Sequence, residues 1–217
     1  MSALAAALRR GLDVRCGRRV APLRRREIRG WVLEDEGGQS LGSYPEIVLA
    51  IPPAQAAAMV DGIESAALQS VLTRTQMAPI LTLMVAFARP VDGPALARPS
   101  DGPLQLIVND GQKPGRGGLG WVAHSTTDFA REHLEDPPMH HRPVLMEAME
   151  RWLGPLPEVR FATVHRWRHG RVTRPVGLAA WFEPTRHLGA CGDWCLGPNI
   201  EHAISSGTEL AAQMLAR

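Results

Sequence analysis

A chain of 217 residues with 45% hydrophobic content can bury a sizeable core, as one domain or as two small ones. Its formal charge of +2 excludes a global pull toward nucleic acid or an anionic membrane, and Pro52-Pro53 and Pro90 interrupt the two most apolar stretches before either reaches spanning length. Three cysteines, Cys16, Cys191 and Cys195, form an odd set without a disulfide framework and point to a reducing, cytoplasmic setting.

Residues 2–10 are strong helix formers that stop at Gly11. The segment Met1 to Arg26 mimics an organelle transit peptide in its arginine content, but Leu4, Leu8, Leu12 and Val14 read better as a helix running into a strand. Strands are expected over Val14–Leu23, Ile28–Glu34 and Glu46–Ile51. The continuous run Ile47-Val48-Leu49-Ala50-Ile51 suggests a strand covered on both faces. A helix follows over Ala54–Gln69. Pro79–Ala88, Leu104–Asn109, Trp121–Ser125 and Val159–Trp167 then read as strands, Asp128–Leu134 and Val144–Leu153 as helices, and His169-Gly170 as a turn. The chain closes with a strand over Leu178–Phe182, a short strand from His187, a Gly192-Asp193 turn, a loop and a helix opening at Asn199. In that helix Ile200, Ala203, Ile204, Gly207, Leu210, Ala211, Met214 and Leu215 fall in steps of three and four, the spacing of a buried face.

This order gives two lobes. Residues 1–54 and 178–217 belong together, and 55–177 form an inserted lobe. A strand ending in Gly-Asp beside a helix N-terminus suits an electron-rich ligand, and suits a plain packing helix equally well. Gly115-Arg116-Gly117-Gly118-Leu119-Gly120 spells a dinucleotide fingerprint, but it runs from loop into strand and not from strand into helix, so it reads as a mobile glycine loop. Nine arginines between Arg9 and Arg29 read as a solvated basic sheet face more than as a nucleic-acid patch. Cys191, Cys195 and His187 lack the usual metal spacing, and His140-His141 reads as surface loop. Trp121, Trp167 and Trp181 could stack a planar ligand or simply fill core.

Gly192-Asp193-Trp194, Asn199-Ile200-Glu201-His202-Ala203 and Ser206-Gly207 together resemble the closing flavin-binding motif of the flavin amine oxidase superfamily, most closely its renalase-like FAD-dependent oxidoreductases. Tyr44 to Pro52, Lys113-Pro114-Gly115-Arg116 with Trp121 and His124, and His165-Arg166-Trp167 resemble further segments of that family, in the same order along the chain. The resemblance implies an α+β / α/β fold: the C-terminal part of a two-lobe FAD-binding oxidoreductase, with a partial FAD domain and a mixed β-sheet substrate domain. The family's opening strand, glycine turn and helix have no counterpart here, so the chain resembles the family without its first third. The missing segment would be encoded upstream, lost, or supplied by another chain.

By the same resemblance Val20 would pair with adenine. Gly192 and Asp193 would reach the ribityl chain and pyrophosphate, and Asn199, Ile200, Glu201 and Ala203 would line the flavin edge. His165, Trp167 and Trp181 are the expected substrate-pocket wall. No general base is expected, because the flavin carries the chemistry. The family implies hydride transfer from a small organic or reduced nicotinamide-type substrate, with oxygen as final acceptor. A different branch acting on an amine or a polyene is the alternative, as is a non-catalytic remnant. The expected partner is a small-molecule substrate. Self-association through apolar faces left uncovered is also expected.

Overall fold

The computed structural model describes residues 2–26 and 30–216. It divides into two compact units. The first comprises Met1–Arg74, Val176–Leu196 and Glu201–Arg217, and the second Thr75–Pro175 and Gly197–Ile200.

The first unit opens with helix α1 (Ser2–Leu8), which ends before Gly11 at φ +81°. The expected strand over Val14–Leu23 does not form. Only Val20 makes a bridge, to Asp35, because Gly17 at φ +70° turns the backbone and Val14 to Arg19 have no cover. Strands β1 (Arg24–Arg26), β2 (Gly30–Glu34) and β3 (Ser40–Tyr44) form an antiparallel meander; Ile28, the expected start of the second strand, lies outside the described residues. Trp31 on β2 is fully buried and its indole N–H donates to the Arg186 carbonyl at 3.0 Å. Gly30 sits at φ +70°, and a Cβ there would lie 2.7 Å from the Tyr44 carbonyl oxygen. Gly30→Ala should therefore cost about 1–3 kcal/mol of stability in urea denaturation. An unchanged midpoint would show that the β2–β3 meander is not held this tightly.

Strand β4 (Ile47–Leu49) is shorter than the expected Glu46–Ile51 and is covered on one face: Ile47 and Leu49 are buried, while Val48 is 43% exposed. The expected single helix after it is two, α2 (Pro53–Met59) and α3 (Ala66–Arg74), separated by the Asp61-Gly62 turn. Both belong to the first unit. The Leu23 N–H donates to the Met59 carbonyl at 2.7 Å, and the Ser65 hydroxyl donates to Glu183 Oε2 at 2.8 Å while accepting the Leu68 N–H at the start of α3. The chain therefore passes into the second unit at Thr75, some way beyond the expected 54/55 crossing.

The second unit is a five-stranded antiparallel sheet in the order β6-β7-β8-β5-β9. Its strands are β5 (Gln76–Phe87), β6 (Leu96–Ala97), β7 (Leu104–Asn109), β8 (Gly120–Ser125) and β9 (Val159–Arg174). Alternation places Leu81, Leu83, Val85 and Phe87 of β5 on one face, with Ile107, Trp121, Ala123 and Val164. Helices α4 (Thr127–Glu132) and α5 (Arg142–Leu153) lie on this unit, and Leu145, Ala148 and Met149 of α5 complete its core. His169-Gly170, read as a turn, lies inside β9. A Cβ on Gly170 would meet Ile80 Cβ at 2.9 Å and Ile80 N at 3.1 Å, so the glycine serves close strand approach and not chain reversal.

The chain returns to the first unit through β10 (Trp181–Glu183) and β11 (Leu188–Ala190). β11 pairs antiparallel with β10 and parallel with β4, Leu188 opposite Ile47. The expected loop at Cys195 is a one-turn helix, α6 (Asp193–Leu196), and α7 (Ile200–Leu215) follows. α7 is less buried than its spacing suggests. Ser206 and Leu210 are buried, but Ile204 is 45% exposed and Leu215 is solvent-facing. With Val48 and Ile204 uncovered, the isolated chain should self-associate, giving a concentration-dependent sedimentation coefficient. A concentration-independent monomer would contradict this.

Candidate functional site

Two sets of residues carry chemistry, one in each unit. In the first unit β11 delivers the chain to Gly192, where a Cβ would lie 2.6 Å from the Trp194 indole nitrogen; the position has room only for glycine. The Gly192 N–H donates to Ser206 Oγ at 3.1 Å, which ties this turn to α7. Trp194 is buried beneath, and its indole N–H donates to the Ile51 carbonyl at 3.1 Å. Asp193 Oδ1 accepts the Trp194 N–H at 2.8 Å. Burial raises the Asp193 carboxyl above the usual range, opposed by the N–H groups of Trp194 and of Asp193 itself and by nearby His202. β11 and α7 approach closely at Gly189, where a Cβ would meet Leu210 Cδ1 at 2.9 Å, whereas Gly207 faces open space. Ser206 contributes its hydroxyl, a role its small size concealed.

Val20 is half-buried and lines a cavity of about 710 Å³ against β4, together with Arg18, Arg19, Ile47, Leu49 and Ile51. β4 is an edge strand in the order β10-β11-β4, so its outer edge faces this side with backbone groups that the sheet does not pair. Burial also raises both the Cys191 and the Cys195 thiols.

In the second unit the sheet face opposite the core is the notable surface. Thr82 on β5 stands between His124 on β8 and His165 on β9 in cross-strand register. Thr82 Oγ1 and His124 Nδ1 are 2.8 Å apart, and the His165 and Trp167 rings stack edge-on at 4.2 Å. Beside this row a cavity of about 260 Å³ is lined by Ile80, Arg98, Leu106, His124, Arg171 and Asn199 among others, with no acidic residue. Of the expected pocket wall, His165 and Trp167 thus lie on this face, exposed. Trp181 is only 9% exposed and belongs to β10 in the first unit. Thr82, Arg98 and Arg171 were missed, and His124 was read only as part of a family-like segment. The one available signal was a histidine inside the apolar alternation of Trp121–Ser125.

Desolvation lowers the His124 pKa, with the positive charge of Lys113 adding to it, so the imidazole is neutral at pH 7. As pH falls below about 6.5 the unfolded chain takes up this proton before the folded one. Stability from this site is complete above that pH and is lost as pH drops toward the depressed folded value. His124→Asn should therefore flatten the fall in Tm between about pH 7.5 and 5.5. An identical slope in the variant would exclude His124 as its source.

The glycine fingerprint is no phosphate cradle. It follows a 3-10 turn, leads into β8, and is held by Asp110, which accepts hydrogen bonds from Lys113 at 2.5 Å and from Arg116. A Cβ on Gly111 would meet the Gly118 carbonyl oxygen at 2.1 Å, so the loop folds back on itself, while Gly115 and Gly117 face open space.

The fold is similar to about half of each of several solved oxidase and oxidoreductase structures. Putrescine oxidase bound to putrescine matches 99% of this chain with a TM-score of 0.72 at 16% identity, and the match covers 51% of its own length. Cyclohexylamine oxidase from Brevibacterium oxydans matches 91% of the chain (TM-score 0.63, 14% identity, 48% of its length). An oxidoreductase from Methanosarcina mazei matches 91% (TM-score 0.65, 13% identity, 49% of its length). At these identities the likeness is one of fold, and the chain spans about half the length of the structures it matches. No protein-family model matches it.

Proposed function

We propose that the chain is part of an FAD-dependent oxidoreductase with a renalase-like substrate class. The observation that carries this reading is the fold likeness to putrescine oxidase over 99% of the chain, with a Gly192-Asp193 turn hydrogen-bonded to the helix that follows it. The residues present fit one part of FAD. Gly192, Asp193, Asn199, Ile200, Glu201 and Ala203 would hold its ribityl and flavin portions, and Val20, in its apolar cavity rimmed by Arg18 and Arg19, the adenine portion. The first-turn N–H groups of α7 would favour negative charge on the flavin by about 0.3–1 kcal/mol. The described residues offer no strand–glycine turn–helix to cradle the pyrophosphate.

When bound, FAD supplies a hydride acceptor at N5 that oxygen can return to its oxidised form. This chain's own residues orient the donor: the exposed Trp167 and His165 rings offer a stacking surface, and Arg98 and Arg171 a positive cavity wall. Two guanidinium groups without a carboxylate favour an anionic substrate such as a reduced nicotinamide mononucleotide over a cationic amine or a neutral polyene. The chain should therefore gain thermal stability from nicotinamide mononucleotide and none from putrescine, and Arg171→Ala should remove the gain. Stabilisation by the diamine instead would favour the amine branch. Retention of the fold with no response to FAD would favour a non-catalytic interaction module.

A further inference from the structure

We propose that His133, Asp136 and His141 of the second unit form a Zn²⁺ site. The three side chains each offer one ligand atom, and those atoms all lie within 4.8 Å of one another. Asp136 Oδ2 is 3.1 Å from His133 Nδ1 and 3.4 Å from His141 Nε2. Ligand atoms at the usual 2.0–2.1 Å from one tetrahedral zinc ion stand about 3.3–3.4 Å apart, so two edges of the tetrahedron are already close to their final length. The third closes by rotation of His133, the less buried of the two histidines.

A second observation points to a ligand. His141 is only 7% exposed, and its Nε2 is a buried side-chain atom without a hydrogen-bond partner; the contact with Asp136 falls outside hydrogen-bond geometry. Buried polar nitrogens are ordinarily satisfied, and a zinc ion between His141 Nε2 and Asp136 Oδ2 would satisfy this one. Two imidazoles and a carboxylate form a borderline donor set suited to zinc, with the fourth position left to water.

The surroundings hold the site without help from the metal. The Leu134 carbonyl accepts a hydrogen bond from Arg166, and Glu135 accepts two from Arg168 at 2.6 and 2.8 Å, which pins the segment between His133 and Asp136 to β9. Phe129 on α4 packs its ring 4.5 Å from His133 and edge-on 5.6 Å from His141. Metal binding at His133, the C-cap of α4, and at His141, which precedes α5, would clip the connection between the two helices.

The test is a titration of the metal-free full chain with Zn²⁺ against a chromophoric chelator, with Tm followed in parallel. The expected result is one equivalent bound, a rise in Tm, and at least about a tenfold loss of affinity in both His133→Gln and Asp136→Asn. These two residues are partly exposed, so circular dichroism can verify that the variants fold; His141→Gln would confound binding with stability. Cys16→Ser is the control for adventitious thiol binding and should leave the stoichiometry unchanged. No bound zinc, or zinc whose affinity survives His133→Gln and Asp136→Asn, would overturn the proposal.

Discussion

Trp194→Ala is expected to lower stability by about 3–5 kcal/mol, enough to leave a marginal protein largely unfolded. Trp194 is 1% exposed, and its loss opens a large void beneath the Gly192 turn. It also removes the indole donor to the Ile51 carbonyl, the bond that links α6 to the end of the β4 segment. Trp194→Phe separates the two contributions. It keeps most of the apolar volume and gives up the hydrogen bond, so about 1 kcal/mol of the loss should remain. Urea denaturation followed by circular dichroism reads both. A loss below about 1 kcal/mol in the alanine variant would show that Trp194 does not anchor the turn.

In the second unit the corresponding change is Leu83→Ala, for which a loss of about 2–5 kcal/mol is expected. Leu83 is fully buried at the centre of β5, opposite Ala123 of β8 and Val164 of β9, with α5 contributing to the same cluster. Neighbours drawn from three strands and a helix cannot all relax into the space it leaves. Met84→Ala, one residue along on the opposite sheet face, is the comparison. That side chain is only half-buried, and its loss should be clearly smaller. Equal losses at the two positions would mean that the core is not confined to the face occupied by the helices.

Much of the second unit was legible in the sequence because its signals are local. Leu104–Asn109 matches β7 at both ends, and the Pro79–Ala88 run lies largely within β5. What the sequence hid were features decided by distant partners. Gly170 looks like a turn until Ile80 is placed against it. Val14–Leu23 has strand-forming residues but no neighbour to pair with beyond the bridge at Val20. The Ile47–Ile51 run suggested cover on two faces, yet Val48 stays exposed because only the face that carries Ile47 and Leu49 is covered.

The candidate sites divide in the same way. Gly192 and Asp193 were visible as a motif, but the tether from Gly192 to Ser206 spans 14 residues and is invisible in local spacing. The His124–Thr82–His165 row exists only once β8, β5 and β9 are set side by side. His133, Asp136 and His141 carry no familiar metal-binding spacing, and their convergence depends on the fold of the connection between α4 and α5.

Equilibrium titration of FAD into the purified, folded chain, read by flavin fluorescence, tests the proposed function most directly. A site that holds the flavin and adenine portions without a pyrophosphate cradle should give a colourless preparation. It should also give weak, saturable binding, with Kd above about 10 μM, or less than about 7 kcal/mol. Asp193→Ala should weaken that binding further. A preparation that is yellow as purified and keeps stoichiometric FAD through dialysis would contradict the half-site. A folded chain with no saturable FAD binding at all would contradict the assignment of FAD itself.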